Sequence, residues 1–302
     1  MMTRMALHNK VFRHYLIIRK VREPGFPGFR DIKAMLEDHG FSLSSRTLQR
    51  DIENIRVDLG IEIRYNAYHN GYDIDEENSV DMGSLMKFLE LAVLTSNFNE
   101  MYRDPDQARR YISFDSEESV RGVEFISRIL FALKNRREVM VTYQRFIDEK
   151  PFQVDVKPAL LKEYQNRWYL IGIFSAKGEV RNYALDRMKG LEVRDARFNI
   201  EETAGIRERY DHVVGISGSN MDSMLIKLTF SPEQTPYMET LPWHITQEVE
   251  SRTEKGTVFS LFVAHNIELV KKVLAEGGHI LHIEPEAFRN KVEEARKIQG
   301  TT

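Results

Sequence analysis

The residues of this 302-residue chain best suited to chemistry are arginines set beside hydroxyls, amides and aromatic rings. Ser45-Arg46-Thr47-Leu48-Gln49-Arg50 gathers two guanidiniums, two hydroxyls and an amide in six residues. Such groups donate hydrogen bonds to phosphate oxygens and base edges, and arginine does so in a two-pronged geometry that lysine lacks. Further along, Arg181 and Arg187 bracket Asn182-Tyr183-Ala184-Leu185-Asp186, with Tyr143, Arg145 and Arg167 in the same stretch. Two guanidiniums can grip one phosphate, and Tyr143 offers a hydroxyl or a stacking face. The competing use of Arg181 and Arg187 is an internal salt bridge to Asp186 or another acid.

Catalytic patterns do not present themselves. With no cysteine, disulfides, Cys-ligated zinc, iron–sulfur clusters and a thiol nucleophile are excluded. GxxxxGK[ST], GxGxxG and HExxH do not occur. His279 and His282 are three apart on a predicted strand, so they face opposite sides and make a poor metal pair. The expectation is a binding protein with no cofactor, not an enzyme. No apolar run approaches the 18 residues of a membrane span, and Met1–Lys10 has no apolar core of a signal peptide. With 42% hydrophobic and 29% charged residues, a soluble, cytoplasmic protein is expected.

A formal net charge of −3 argues at first against a polyanion partner. The total hides alternation. Counting Lys and Arg against Asp and Glu, residues 1–72 carry +4, 73–137 carry −4, 138–199 carry +2 and 200–302 carry −5. Both arginine groups lie in the positive segments, where a nucleic-acid or nucleotide partner is permitted.

The elements that must position these groups follow from periodicity. In 1–78, apolar residues at helical spacing around Val11–Val21 end at Pro24-Gly25-Phe26-Pro27-Gly28. A second short helix runs from about Arg30 to His39-Gly40. A third starts after Ser44, a good N-cap. Projected at 100° per residue, it puts Leu48, Ile52, Ile55 and Leu59 on one stripe. Arg46, Arg50 and Glu53 lie opposite, with Thr47 and Gln49 on the shoulders. Ile61–Tyr65 and Gly71–Ile74 then form a hairpin with a polar tip, Asn66–Asn70, where His69 is a further candidate contact. Residues 79–137 read as a helical linker: amphipathic helices around Leu85–Val93 and Ile126–Leu133, with a short helix near 108–112 between them. Residues 138–200 switch to period two. Five short strands are expected: Glu138–Phe146, Phe152–Val156, Arg167–Phe174, Glu179–Ala184 and Leu191–Asp195. They suit a small, bent antiparallel barrel. Residues 201–302 open with a polar approach and a flexible Gly215–Asn220 stretch. A β-α-β-β-α-β order follows, its first helix opened by Ser231-Pro232, and a last helix follows Pro285. The fold class is thus multidomain α+β.

Three groups of motifs carry a family resemblance over nearly the whole chain. SRTLQRDI at 45–52 and GYDI at 71–74 are similar to the recognition-helix start and wing closure of DeoR-like winged helix-turn-helix domains. Trp168-Tyr169-Leu170 is the tripeptide that names the WYL domain. Tyr143, Lys157-Pro158-Ala159-Leu160 and Arg181-Asn182-Tyr183-Ala184-Leu185-Asp186-Arg187-Met188 resemble its flanks, with Met188 in place of the usual isoleucine. More loosely, Trp243–Gln247 and Gly278–Pro285 resemble the WCX extension that follows many WYL domains.

The resemblance implies a winged helix at 1–78, a linker at 79–137, an Sm-like WYL barrel at 138–200 and a ferredoxin-like WCX domain at 201–302. It also implies a transcriptional regulator that binds double-stranded operator DNA as a homodimer. Ser45, Arg46, Thr47, Gln49, Arg50 and His69 would then meet DNA. Tyr143, Arg145, Arg167, Arg181 and Arg187 would meet an anionic effector, a nucleotide or single-stranded nucleic acid. Two rival readings are a nucleic-acid-binding module with no effector switch and an enzyme acting on nucleotides. Trp168, Tyr169 and Leu170 themselves are expected to be packing residues.

Overall fold

The computed structural model describes residues 2–79, 82–101, 121–218 and 220–299. The short helix expected near 108–112 lies outside them. The chain divides into two units, 1–117 and 118–302. It is a mixed α/β protein of several domains with antiparallel sheets. Among the described residues, no helix is long and apolar enough to cross a membrane.

In the first unit, α1 (Met2–Arg22), α2 (Phe29–Asp38) and α3 (Ser45–Leu59) precede a hairpin of β1 (Ile63–Asn66) and β2 (Gly71–Ile74). The expected N-cap is in place, with Ser44 Oγ accepting from the Thr47 N–H at 3.2 Å. Gly60 closes α3 in the left-handed region at φ 68°, a conformation that costs glycine little. Leu16, Ile17, Ile18, Ile32, Leu36, Leu48, Ile55 and Ile61 are all at most 1% exposed. Each such burial is worth about 1.5–3 kcal/mol. The next helix, α4 (Met82–Met101), is not a free spacer, because Met86 and Leu89 enter this same core.

The second unit begins with α5 (Ile126–Asn135). The sequence reading assigned this helix to the linker. It packs instead on the middle sheet, where Ile129 and Ala132 join a core with Val139, Val141, Val156 and Leu170. That sheet comprises β3 (Arg137–Tyr143), β4 (Phe152–Tyr164), β5 (Arg167–Phe174), β6 (Glu179–Ala184) and β7 (Met188–Arg197), ordered β6-β5-β4-β3-β7. The second strand is longer than expected and runs straight through Pro158. The ladder with β5 shifts register between Pro158 and Leu160, and such a bulge tolerates a residue without an N–H. Gly172 faces Pro158 there, where a Cβ would lie 2.4 Å from the Lys157 carbonyl oxygen.

A connecting segment with a one-turn helix, α6 (Ile206–Tyr210), leads to the C-terminal domain. Its remaining elements are β8 (Ser223–Phe230), α7 (Thr235–Thr240), β9 (Glu248–Thr253), β10 (Gly256–Ala264), α8 (Ile267–Ala275), β11 (Ile280–Glu284) and α9 (Glu286–Gln299). The sheet order is β11-β8-β10-β9. The helix expected to open at Ser231-Pro232 starts four residues later, after a turn, with Pro236 in its first turn. The Ser231 carbonyl accepts from the Gln234 and Thr235 N–H groups, both at 3.1 Å. The Ser231 hydroxyl lies 3.1 Å from His279 Nδ1. Within the Gly215–Asn220 stretch expected to be flexible, the Ile216 and Ser217 carbonyls accept from Asn182 and Asn266.

Candidate nucleic-acid interface and anion site

Two groups of arginines emerge, one in each unit. In the first, α3 turns Ser45, Arg46, Gln49 and Arg50 to solvent on the side opposite Leu48 and Ile55. Among the described residues, neither Arg46 nor Arg50 has a carboxylate partner. Glu53, which shares their face, is taken up by Arg56. Thr47 departs from expectation. Its hydroxyl sits 2.9 Å from Ser44 Oγ and belongs to the helix cap, where it is half-buried.

One buried pair sets the pose of α3. Arg13 on α1 donates to Asp51 through Nε at 2.7 Å and Nη2 at 3.1 Å. Asp51 is 1% exposed and lies between Leu48 and Ile55 on the inward face. Burial raises its pKa, but His14, the Arg13 hydrogen bonds and the Arg13 charge outweigh this and hold it down at about 2. His14 Nε2 is 3.7 Å away, too far for a good hydrogen bond. Sequence reasoning missed this clamp. Its signal was a lone acid at helical spacing inside an apolar stripe.

At the hairpin tip His69 is exposed. Its ring stacks on Phe26, centroids 3.9 Å apart and planes at 9°. The Tyr72 N–H donates to the Pro27 carbonyl at 2.9 Å. Gly71 allows the approach, since a Cβ there would sit 1.9 Å from the Phe26 carbonyl oxygen. The residue presented at the tip is Tyr68, 91% exposed.

The second group lies around the middle sheet, and each arginine there is engaged. Arg145 grips Asp148 with two bonds of 2.8 Å, which lower the Asp148 pKa and raise that of Arg145. Arg181 bonds Glu179, two residues away on its own strand. Arg167 Nε is 3.8 Å from Asp186 Oδ2, and Arg187 Nε is 4.0 Å from Asp186 Oδ1. The Arg187 guanidinium stands 4.5 Å over the Phe146 ring. Arg187 Nε and Asp186 Oδ1 are both buried without a hydrogen-bond partner among the described residues, which marks this corner as electrostatically incomplete. Arg181 and Arg187 are therefore held by different acids.

Tyr143 is a core residue, 5% exposed, its hydroxyl accepting from the Ala184 N–H at 3.3 Å. It packs edge-on against Tyr183 at 5.4 Å, and burial raises the pKa of both phenols, that of Tyr183 to about 12. Sequence reasoning passed over Phe146, 77% exposed, because the expected strand ran through it. The strand ends at Tyr143, and Phe146 sits on the loop.

Residues 124–193 match the WYL domain family model. The chain carries a WYL domain whose bounds take in α5 and end within β7, in keeping with the packing of α5 on this sheet. No curated protein matches the sequence. Among solved structures, it is similar to proteasome accessory factor B/C of Arthrobacter aurescens, at 17% identity and TM-score 0.28 over 94% of this chain. The chain spans about half of that protein, 47%. It is also similar to a CRISPR Cas-related protein, at 12% identity and TM-score 0.38, covering 98% of this chain and 85% of the other. At such TM-scores neither likeness bears on function.

Proposed function

We propose that the protein is a DNA-binding transcriptional regulator whose WYL domain senses an anionic effector. The observation that carries the reading is the outer face of α3. Ser45, Arg46, Gln49 and Arg50 are exposed, the two arginines have no carboxylate partner among the described residues, and the helix is pinned from behind by Arg13 and Asp51. On this reading residues 1–78 are a winged helix, with α3 in the major groove and the hairpin as the wing. The middle sheet, with its last strand beside its first, is the Sm-like barrel. The C-terminal β-α-β-β-α-β order is the ferredoxin-like WCX domain. Two copies act together on a two-fold operator.

The effector site is the corner formed by Arg145, Arg167, Arg181 and Arg187. A phosphate there competes with Asp148, Glu179 and Asp186 for guanidiniums that are already engaged. A nucleotide or single-stranded nucleic acid suits the nearby Phe146 ring. Such a ligand shifts DNA affinity only by its differential affinity for two poses of the DNA-binding domains. No catalytic step is proposed.

Selection of duplexes from a random-sequence pool by the full chain tests the reading. It expects a two-fold symmetric site with half-sites about 10 base pairs apart. Recovery of no duplex above the starting pool overturns it.

A further inference from the structure

The segment between the middle sheet and the C-terminal domain is held from both sides. From the middle sheet, Lys162 on β4 donates to the carbonyls of Tyr210 and Val213, both at 3.1 Å. Asn182 on β6 donates to the Ile216 carbonyl at 2.6 Å and accepts from the Tyr210 hydroxyl at 2.5 Å. From the C-terminal domain, the Ala264 N–H donates to the His212 carbonyl at 2.8 Å. Asn266 Nδ2 donates to the carbonyls of Val214 and Ser217, both at 2.7 Å, while its Oδ1 caps α8. The Ser217 hydroxyl bonds Glu268. The apolar filling is shared as well: Ile206, Tyr210 and Val213 pack with Ile171 of β5 and Ala264 of β10.

We infer that residues 206–217 form a strap that makes the middle sheet and the C-terminal domain move and unfold as one body. Side-chain bonds to backbone carbonyls fix the strap against both partners, so neither can shift without breaking hydrogen bonds that are at least partly buried. Asn182 is the critical anchor. It follows Arg181 on β6, so any displacement of that strand is passed to the strap through two hydrogen bonds. The inference does not depend on what Arg181 binds.

The chain has two tryptophans, Trp168 in β5 and Trp243 in the C-terminal domain. Trp243→Phe leaves a reporter on the middle sheet, and Trp168→Phe leaves one on the C-terminal domain. Urea unfolding of the full chain should give coincident midpoints for the two reporters. With Lys162→Met and Asn182→Ala added, the midpoints should separate by more than about 0.5 M. Midpoints already separate with the strap intact, or still coincident without its anchors, overturn the inference. If Trp168→Phe fails to fold, hydrogen exchange at the Leu170 and Leu261 amides makes the same comparison. Equal opening free energies are expected in the unsubstituted chain and unequal ones in the double variant.

Discussion

The two arginine groups use one residue type in opposite electrostatic states. On α3, Arg46 and Arg50 point to solvent and, among the described residues, form no ion pair, Glu53 on their face being taken up by Arg56. Around the middle sheet, Arg145 and Arg181 are bonded to Asp148 and Glu179, and Arg167 and Arg187 flank Asp186. An unpaired guanidinium meets a phosphate at no cost beyond its own desolvation and side-chain ordering. A paired one must first exchange its carboxylate, so only a ligand that fits the corner wins. The first state suits strong, salt-dependent binding of a polyanion, and the second suits selective sensing.

The comparison rests on α3 being held rigidly, so its largest test is the clamp behind that helix. Asp51→Ala leaves the part-buried Arg13 guanidinium without its carboxylate partner, and should destabilise the first unit by about 1–3 kcal/mol. Arg13→Met with Asp51→Leu removes both charges and should restore most of that stability. Asp148→Ala, at an exposed pair, should leave urea unfolding unchanged within error. A clamp variant as mild as Asp148→Ala would reject the pinning role.

Titration gives a smaller effect on the same contrast. The folded Asp51 pKa is depressed from 3.8 to about 2. The clamp's contribution is therefore fully present above pH 3.8 and is lost as pH falls through about 2. Carboxyl carbon NMR should show Asp51 still ionised at pH 3. A midpoint near 3.8 contradicts the pairing.

The smallest effect is expected at the sensing corner. Glu179→Gln frees Arg181 from its strand neighbour and should raise affinity for a 5′-phosphorylated thymidine oligonucleotide by roughly two- to five-fold, the scale of an exposed ion pair. Arg187→Ala should lower it. Oligonucleotide binding that ignores both changes removes the anion site and leaves the DNA interface standing.

Much of the first unit was legible in the sequence because its signals are local. Ser44 caps α3, Gly60 ends it, and the apolar stripe fixes its buried side. The clamp was not legible, since it joins residues 13 and 51 across two helices. The stacking of His69 is hidden for a similar reason: its partner Phe26 lies on a loop 43 residues earlier. In the middle sheet, the strand positions follow from the alternating pattern, but strand order and carboxylate partners do not. Asp148 folds back in a turn, and Glu179 meets Arg181 only because i and i+2 share one strand face. Pro158 read as a strand end, and only the bulge opposite β5 lets the strand continue. The linker helix α5 was assigned by position in the chain, whereas its apolar face belongs to the middle core.

The central claim is that the outer face of α3 reads DNA while the sheet arginines do not. One titration tests both halves: fluorescence anisotropy of a duplex selected by the full chain, against Arg46→Ala with Arg50→Ala and against Arg145→Ala with Arg181→Ala. The first double variant should lose about 1–3 kcal/mol for each base contact removed, less for phosphate contacts, and the second should bind as the unsubstituted chain does. Unchanged affinity in the first, or an equal loss in both, contradicts the account.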